Sequence, residues 1–168
     1  TVAIQVDPIS SIAVAGPTTT ICSSTTTLAA NTPTSGVGTW SVISGGGTIT
    51  FINNPTSTIT GLLPGIHILQ WTIASGVCAP SISTTTIQVD ANPTAANAGP
   101  SQTICITTGT TTMAANTPTI GTGIWSVLIG GGSVNNFFLP TTGVTGLAVG
   151  NHVLQWTISN GVCSSSSS

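Results

Sequence analysis

The feature that most constrains this chain is an internal repeat. The segment AGPTTTIC, from Ala15 to Cys22, recurs 83 positions later as AGPSQTIC, from Ala98 to Cys105. From LAANTPT at Leu28 and MAANTPT at Met113 onward the offset is 85, so two residues are inserted after the first cysteine of the second copy. Self-similarity at a fixed period indicates a tandem array of one structural unit.

The longer offset is kept as far as the last cysteine of each copy. It relates these landmarks: Trp40 and Trp125, Gly45–Gly47 and Gly130–Gly132, Pro55 and Pro140, His67 and His152, Trp71 and Trp156, Cys78 and Cys163. So many fixed landmarks at one spacing are not expected by chance, and they define the register in which the two copies are compared.

The two ends of the chain also fit this register. TVAIQVD (Thr1–Asp7) matches TTTIQVD (Thr84–Asp90), which closes the first full copy, whereas the second copy stops soon after Cys163. We therefore expect residues 1–7 to be the last strand of a preceding repeat, 8–90 a complete repeat, and 91–168 a second repeat that lacks its final strand. Both ends would then be cuts through a longer array.

The composition favours β-structure, because Thr, Val and Ile fit a pleated surface better than a helix. Alternating apolar residues predict strands at Thr25–Ala30, Thr39–Ile43, Ser57–Thr60, Ile66–Ala74 and Thr84–Val89. In the clearest of these, His67, Leu69, Trp71 and Ile73 share one face. The triple glycines predict a hairpin turn. About seven short strands per repeat are typical of a β-sandwich.

Charge excludes two classes of partner. The chain has no Lys or Arg and only two acidic side chains, Asp7 and Asp90. A nucleic-acid ligand requires cations that displace phosphate counterions, and an anionic membrane surface attracts basic segments. No apolar run approaches the roughly 20 residues that cross a bilayer. We therefore expect neither a nucleic-acid partner nor a membrane span.

One pair of cysteines falls in each repeat: Cys22 with Cys78, and Cys105 with Cys163. Their even number and matched placement predict structural disulfides and an oxidising compartment, extracellular or periplasmic. Pairing within each repeat is favoured, and a bridge between neighbours, such as Cys78 to Cys105, or free buried thiols are the alternatives. The spacing of a zinc site is absent.

No group of residues predicts catalysis. The two carboxylates stand at separate junctions, whereas a glycosidase needs two facing one substrate. Neither histidine has an acid nearby in the sequence to orient it, so we expect His67 and His152 to bond to backbone carbonyls at the edge of the core. A weak calcium site at Asp90 and Asn92 is a minor alternative to a turn. No catalytic, cofactor or metal residue is assigned.

The four tryptophans, Trp40, Trp71, Trp125 and Trp156, alternate with aliphatic residues, which places them in the core. The alternative is that they form stacking platforms for carbohydrate. Exposed tryptophans on one sheet would support that alternative, and buried tryptophans would exclude it.

The motifs AGPSQTIC, MAANTPT, TGIWSV, TTGVTGL and NHVLQWTISNGVC resemble the PKD-like or immunoglobulin-like repeats of large cell-surface adhesins of Bacteroidota, including gliding-motility adhesins. The resemblance covers Ala15–Asp90 and Ala98–Cys163. It implies an all-β fold of tandem immunoglobulin-like (PKD-like) β-sandwich repeats in a secreted protein of the type IX system. It also implies a role at the cell surface in adhesion or gliding, and no enzymatic activity.

The leading functional hypothesis is a non-catalytic stalk or spacer that contacts neighbouring repeats of its own chain. Surface polysaccharide and the outer-membrane secretion or gliding machinery are further candidate partners. One alternative is a carbohydrate-binding module. Another is the subunit of a self-assembling extracellular filament, in which a strand from a neighbour completes the open edge of the second copy.

Overall fold

The computed structural model describes all 168 residues, which fold into two compact units, Thr1–Asp90 and Ala91–Ser168. All regular elements are strands, as the composition predicts. The first unit contains β1 (Thr19–Ile21), β2 (Thr26–Thr27), β3 (Val37–Ser44), β4 (Thr48–Ile49), β5 (Thr58–Thr60), β6 (Gly65–Ala74) and β7 (Ser81–Val89). The second contains β8 (Thr111–Thr112), β9 (Thr122–Ile129), β10 (Ser133–Val134), β11 (Gly143–Thr145), β12 (Val153–Ser159) and β13 (Ser166–Ser167).

The first unit is a sandwich of two sheets, with strand orders β1-β7-β6-β3 and β2-β5-β4. β6 pairs antiparallel with both β3 and β7. The predicted buried face of β6 is confirmed, because His67, Leu69, Trp71 and Ile73 are all buried. Leu69, Trp71 and Ile73 pack with Leu28 and Ile59, on the side of the other sheet, to form one core.

Strand lengths differ from the sequence prediction where pairing is irregular. The strand expected at Thr25–Ala30 is regular only over β2. Beyond β2, the amides of Leu28 and Ala30 donate to Ser57 O (2.8 Å) and Pro55 O (3.1 Å) and so continue the pairing. β7 begins three residues before the predicted Thr84. β1 and β4 were not predicted, because three and two residues are too few to show alternation.

The triple glycine Gly45–Gly47 is not a hairpin turn, and that prediction is wrong. β3 before it pairs with β6, whereas β4 after it pairs with β5, so the glycines carry the chain from one sheet to the other. All three have positive φ, at 87, 86 and 106°. A Cβ on Gly45 would lie 2.4 Å from the backbone oxygen of Ile66. This crossing therefore requires glycine for both conformation and space.

The N-terminal part of the first unit runs alongside β7 in the same direction. β1 pairs with it in parallel, from Thr19 opposite Ile87 to Ile21 opposite Val89. Before β1, three hydroxyl side chains of β7 continue the contact. Ser81 Oγ and Ser83 Oγ accept from the amides of Ala13 (2.9 Å) and Ala15 (3.1 Å), and Thr85 Oγ1 donates to Pro17 O (2.8 Å). We call these three bonds the hydroxyl ladder.

A two-residue strand, β13, stands in the second unit at the place where β7 begins in the first unit. Ile158 pairs with Ser166 as Ile73 pairs with Ser81 in the first unit. The hydroxyl ladder begins as well, with Ala96 N bonded to Ser166 Oγ at 2.8 Å. The positions equivalent to Thr84–Val89 fall beyond Ser168. Gln102–Ile104, the equivalent of β1, forms no strand, and the Gln102 side chain bonds to Thr111 and Thr112.

A pair of tryptophans forms the centre of each unit. Trp40 lies directly opposite Trp71 across β3 and β6, with ring centroids 5.1 Å apart and a tilt of 47°. Trp125 and Trp156 repeat this arrangement at 5.1 Å and 44°. The Trp71 ring lies across Gly38, where a Cβ would be 2.0 Å from a ring carbon. Gly123 has the same relation to Trp156, at 2.1 Å.

We expect Gly38→Ala and Gly123→Ala each to destabilise the unit in which they lie by about 1–3 kcal/mol, the usual result of overpacking. Neither glycine has a positive φ, so the loss would come from the clash with the indole ring. Gly143→Ala is the matched control, because its Cβ meets only the flexible side chain of Asn135. Chemical denaturation measures the difference. Equal stability of the Gly123→Ala and Gly143→Ala proteins would contradict the prediction.

Candidate functional site

Each of the two histidines contacts two backbone carbonyls, one in each of two turns. The predicted bonding of His67 and His152 to backbone carbonyls is therefore confirmed. His67 Nδ1 lies 3.2 Å from Gly46 O, and Nε2 lies 2.8 Å from Leu63 O. His152 makes the same pair of contacts, with Gly131 O at 3.1 Å and Ala148 O at 2.9 Å. Each imidazole therefore links the triple-glycine segment to the turn that precedes β6 or β12. Both ring nitrogens lie within hydrogen-bond distance of a backbone carbonyl.

The four tryptophans are all buried, at 2 % exposure or less. Trp40 Nε1 donates to Pro55 O at 3.2 Å, and Trp125 Nε1 donates to Leu139 O at 3.1 Å. The indole nitrogens of Trp71 and Trp156 have no hydrogen-bond partner. Since none of these rings reaches the surface, they cannot form a platform on which sugar rings stack.

The acidic side chains are placed at the ends of the first unit. Asp7 accepts hydrogen bonds from the Gln5 side chain (2.9 Å) and from the amide of Val77 (3.0 Å). These two bonds hold the pKa of Asp7 below its usual range, the Gln5 bond contributing most. No three His, Cys, Asp or Glu side chains come together in a way that could hold a metal ion. The structure contains no helix that is long and apolar enough to span a membrane.

The cysteines are not paired within the repeats. Cys78 and Cys105 are free thiols, and Cys22 and Cys163 are disulfide-bonded. The physical reason is the position of Cys22 and Cys78 at opposite ends of β7. Cys22 follows Ile21, which pairs with Val89 at the end of β7, and Cys78 lies in the turn before β7 begins.

Eight residue steps along a strand span about 26 Å, whereas bridged cysteines have Cα atoms no more than about 7 Å apart. A bridge between Cys22 and Cys78 would therefore require the unit to unfold. We call the end of a unit that carries the β6–β7 turn its proximal end, and the end at which β7 finishes its distal end. In the first unit Cys78 is then proximal and Cys22 distal, and in the repeat register Cys163 and Cys105 are their equivalents in the second unit.

Cys105 is the more exposed of the two free thiols. Hydrogen bonds from the hydroxyl and then from the backbone of Thr107 hold the pKa of its thiol below the usual range. A lower pKa increases the fraction of thiolate at neutral pH, and thiolate is the form that reacts with electrophiles and disulfides. Cys78, at the proximal end of the first unit, lies with its Sγ 3.5 Å from Asp7 O.

A groove in the second unit has a volume of about 660 Å³. One wall is the segment Ala98–Ile104, and the other runs from Leu147 to Leu154. Met113 also lines it. In the first unit the corresponding space is filled by the second half of β7, between β6 and β1.

A solved structure of immunoglobulin domains has a similar fold. The chain is similar to the structure described as Sidekick-1 immunoglobulin domains 1–4, with 15 % identity and a TM-score of 0.55 over 99 % of this chain and 49 % of that one. It also matches the three-domain titin fragment I67–I69 in an E-to-A variant, with 11 % identity and a TM-score of 0.49, over 98 % of this chain and 64 % of that one.

The fold is immunoglobulin-like. Identity this low shows the fold alone, and the chain spans about half the length of the Sidekick-1 fragment. The sequence matches no protein-family model and no curated protein sequence. The disulfide-bonded state of Cys22 and Cys163 is consistent with an extracellular domain.

In the dilute protein without reductant, we expect an alkylating reagent at neutral pH to modify Cys78 and Cys105 and to leave Cys22 and Cys163 intact. Cys105 should retain reactivity at lower pH than an ordinary thiol, because its pKa is lowered. Thr107→Val should slow its alkylation by raising that pKa. Peptide mass spectrometry after timed labelling measures both effects. Labelling of all four cysteines, or an unchanged rate in Thr107→Val, would contradict these assignments.

Proposed function

We propose that this chain is a non-catalytic structural spacer of a secreted cell-surface protein, in which immunoglobulin-like units follow one another and carry load between an anchored end and a distal tip. The observation that carries the proposal is the path of the chain through the first unit. It enters beside the β6–β7 turn at Asp7, whose carboxylate bonds to Val77, and leaves at Asp90, where β7 has finished. Attachment points at opposite ends of one sheet suit a spacer.

The strand arrangement also suits a load-bearing role. The segment from Ala13 to Ile21 and β7 are parallel, so tension applied at Asp7 and Asp90 pulls them in opposite directions along their length. Bonds between such segments are loaded in shear and must break together, whereas bonds in an antiparallel hairpin pulled from its open end break one by one. The hydroxyl ladder adds three such bonds before β1 begins.

The specific setting that we propose follows from the motifs that resemble adhesin repeats. It is the outer surface of a bacterium, reached by type IX secretion, with a role in adhesion or gliding motility. The outer-membrane secretion or gliding machinery and neighbouring repeats would be the partners. A carbohydrate-binding role through the tryptophans is not supported, because all four are buried.

The shear geometry predicts that the hydroxyl ladder resists force. Ser81→Ala combined with Ser83→Ala removes two of its bonds, so the free energy of unfolding should fall by about 1–3 kcal/mol. The force needed to unfold the first unit should also fall. Single-molecule pulling on the chain held by its two ends measures this force. Ser41→Ala combined with Ser44→Ala, on the exposed part of β3, is the matched control. An unfolding force that is unchanged by loss of the ladder would contradict the load-bearing role.

The surface location is tested on cells of the source organism. An antibody raised against the 168-residue chain should label intact cells, and protease added outside the cells should remove the label. Deletion of the gene should reduce attachment or gliding without loss of a soluble enzyme activity. Labelling only after the cells are lysed would overturn the proposed setting.

A further inference from the structure

The peptide bond between Asp7 and Pro8 lies against the β6–β7 turn of the first unit, and three residues of that turn surround it. The amide of Val77 donates to Asp7 Oδ2 at 3.0 Å. Gly76 leaves room for this carboxylate, since a Cβ there would lie 1.9 Å from Oδ2. The thiol of Cys78 donates to the backbone oxygen of Asp7 at 3.5 Å. The turn therefore contacts the side-chain carboxylate and the backbone carbonyl of the same residue.

The chain is also held on the other side of this peptide bond. Ser10 Oγ donates to Ala79 O at 3.1 Å, and Ser35 Oγ donates to Ile9 O at 2.8 Å. The Asp7–Pro8 bond thus lies between two points that are fixed to the same unit. Groups that are fixed close to a reacting bond react faster than groups that must first be oriented, because the entropy of orientation has already been lost.

Proline decides which reaction the preceding aspartate can undergo. When another residue follows an aspartate, its backbone N–H can attack the side-chain carboxyl group and form a succinimide. Pro8 has no N–H, so this reaction is closed. The attack of the Asp7 carboxylate on its own backbone carbonyl stays open. It expels the nitrogen of Pro8 as a secondary amine, which is more basic than the primary amine that another residue would release.

We propose that the Asp7–Pro8 bond is a self-cleavage site, at which the folded chain separates in acid. One carboxylate oxygen of Asp7 attacks the backbone carbonyl carbon of the same residue and forms a cyclic anhydride. The bond from that carbon to the nitrogen of Pro8 breaks, and the nitrogen takes a proton from the solvent. A water molecule then opens the anhydride. Asp7 keeps its side-chain carboxyl group and gains a free α-carboxyl group, and Pro8 becomes a free amine.

Cys78 and Val77 have different roles in this reaction. Negative charge builds on the backbone oxygen of Asp7 as the carbonyl carbon is attacked, and the Cys78 thiol donates to that oxygen. A donor at such an oxygen stabilises the transition state, although a thiol is a weak donor. The amide of Val77 contacts the carboxylate and not the carbonyl, so Val77 is a positioning residue for the attacking group.

The hydrogen bonds to the carboxylate extend the reaction to lower pH. The bond from the Gln5 side chain, followed by that from the Val77 amide, holds the pKa of Asp7 below its usual range. Cleavage needs an ionised carboxylate and a proton for the leaving nitrogen, so its rate rises as the pH falls until Asp7 is protonated. The lowered pKa moves this limit to a lower pH. In the turn Ser75–Pro80, Cys78 is the one titratable side chain, and the chain has no Lys or Arg.

The chain contains a comparison bond for this reaction. Asp90 is the equivalent of Asp7 in the repeat register, but Ala91 follows it in place of a proline. The Asp90–Ala91 bond should therefore stay intact under conditions that cleave Asp7–Pro8. Self-cleavage goes beyond the proposed spacer role and does not rest on it, because it requires only the contacts of the first unit. Its failure would leave the pulling and surface-labelling predictions unchanged.

The cleavage is tested by incubating the full chain at about pH 3, below the ordinary pKa of an aspartate, and by following its mass with time. Two carboxylates and two histidines are too few to unfold the chain by a change of charge in acid, and circular dichroism checks this. The peptide TVAIQVD should be released, and Asp90–Ala91 should stay intact. Asp7→Asn and Pro8→Ala should each abolish the release, because one lacks the carboxylate and the other the proline nitrogen.

The contribution of the fold is measured by comparing the folded chain with the same chain unfolded in urea at the same pH. The folded chain should be cleaved faster, because only the fold brings the turn to the Asp7–Pro8 bond. In the folded chain Cys78→Ala should slow the cleavage about two- to tenfold, the usual effect of one hydrogen bond. Cys78→Ser is the matched control, since its hydroxyl is also a donor, and it should be cleaved as fast as the wild type.

The pH profile of the cleavage rate is a further readout. Gln5→Ala removes the hydrogen bond that contributes most to the lowered pKa of Asp7. The rate in this variant should therefore stop rising at a higher pH than in the wild type. Cleavage that is as fast in the unfolded chain as in the folded chain, or that Cys78→Ala leaves unchanged, would overturn the proposal. An intact chain after long incubation in acid would overturn it as well.

Discussion

The interaction on which the rest of this fold depends is the insertion of β7 between two partners. On one side β7 forms a nine-residue antiparallel ladder with β6, and on the other it receives the N-terminal segment through the hydroxyl ladder and the parallel β1. Its inward side chains, including Ile87 and Val89, close the core. One strand thus supplies backbone pairing on both edges and apolar area on one face. Its removal would expose the edge of β6, the edge of β1 and the core beneath β7.

The first unit contains β7, and the second has only the two-residue β13 at the equivalent place. Comparing the two units shows which structural features form without the full length of β7. The tryptophan pair has the same centroid distance in both, 5.1 Å, so the centre of the sandwich does not need the complete closing strand. The pairing of Trp125 with Trp156 comes from β9 and β12, although β12 begins three residues later than its equivalent β6. In contrast, the β1 equivalent is not a strand, because its only strand partner in the first unit is β7.

The sequence predicted those parts of the structure that leave a periodic signal. Alternation along Ile66–Ala74 identified the buried face of β6, and the repeated offset identified equivalent residues in the two units. Three features had no such signal. β1 is too short to show alternation. The role of Gly45–Gly47 depends on which sheets the flanking strands join, which is a non-local property. The failure to pair Cys22 with Cys78 depends on the parallel direction of β1, which sends these cysteines to opposite ends of the sheet.

The parallel direction of β1 also places the two cysteines of the first unit at opposite ends of β7. If β1 were antiparallel to β7, the residue after it would lie at the proximal end, near Cys78, and an internal bridge would be feasible within the separation that a disulfide allows. Because β1 is parallel, each unit presents one cysteine at the end where the chain enters and one at the end where it leaves. A bridge within a unit would need both cysteines at one end of β7, and the parallel direction of β1 keeps Cys22 and Cys78 apart. The direction of one three-residue strand thus decides whether the two cysteines of a unit can pair with each other.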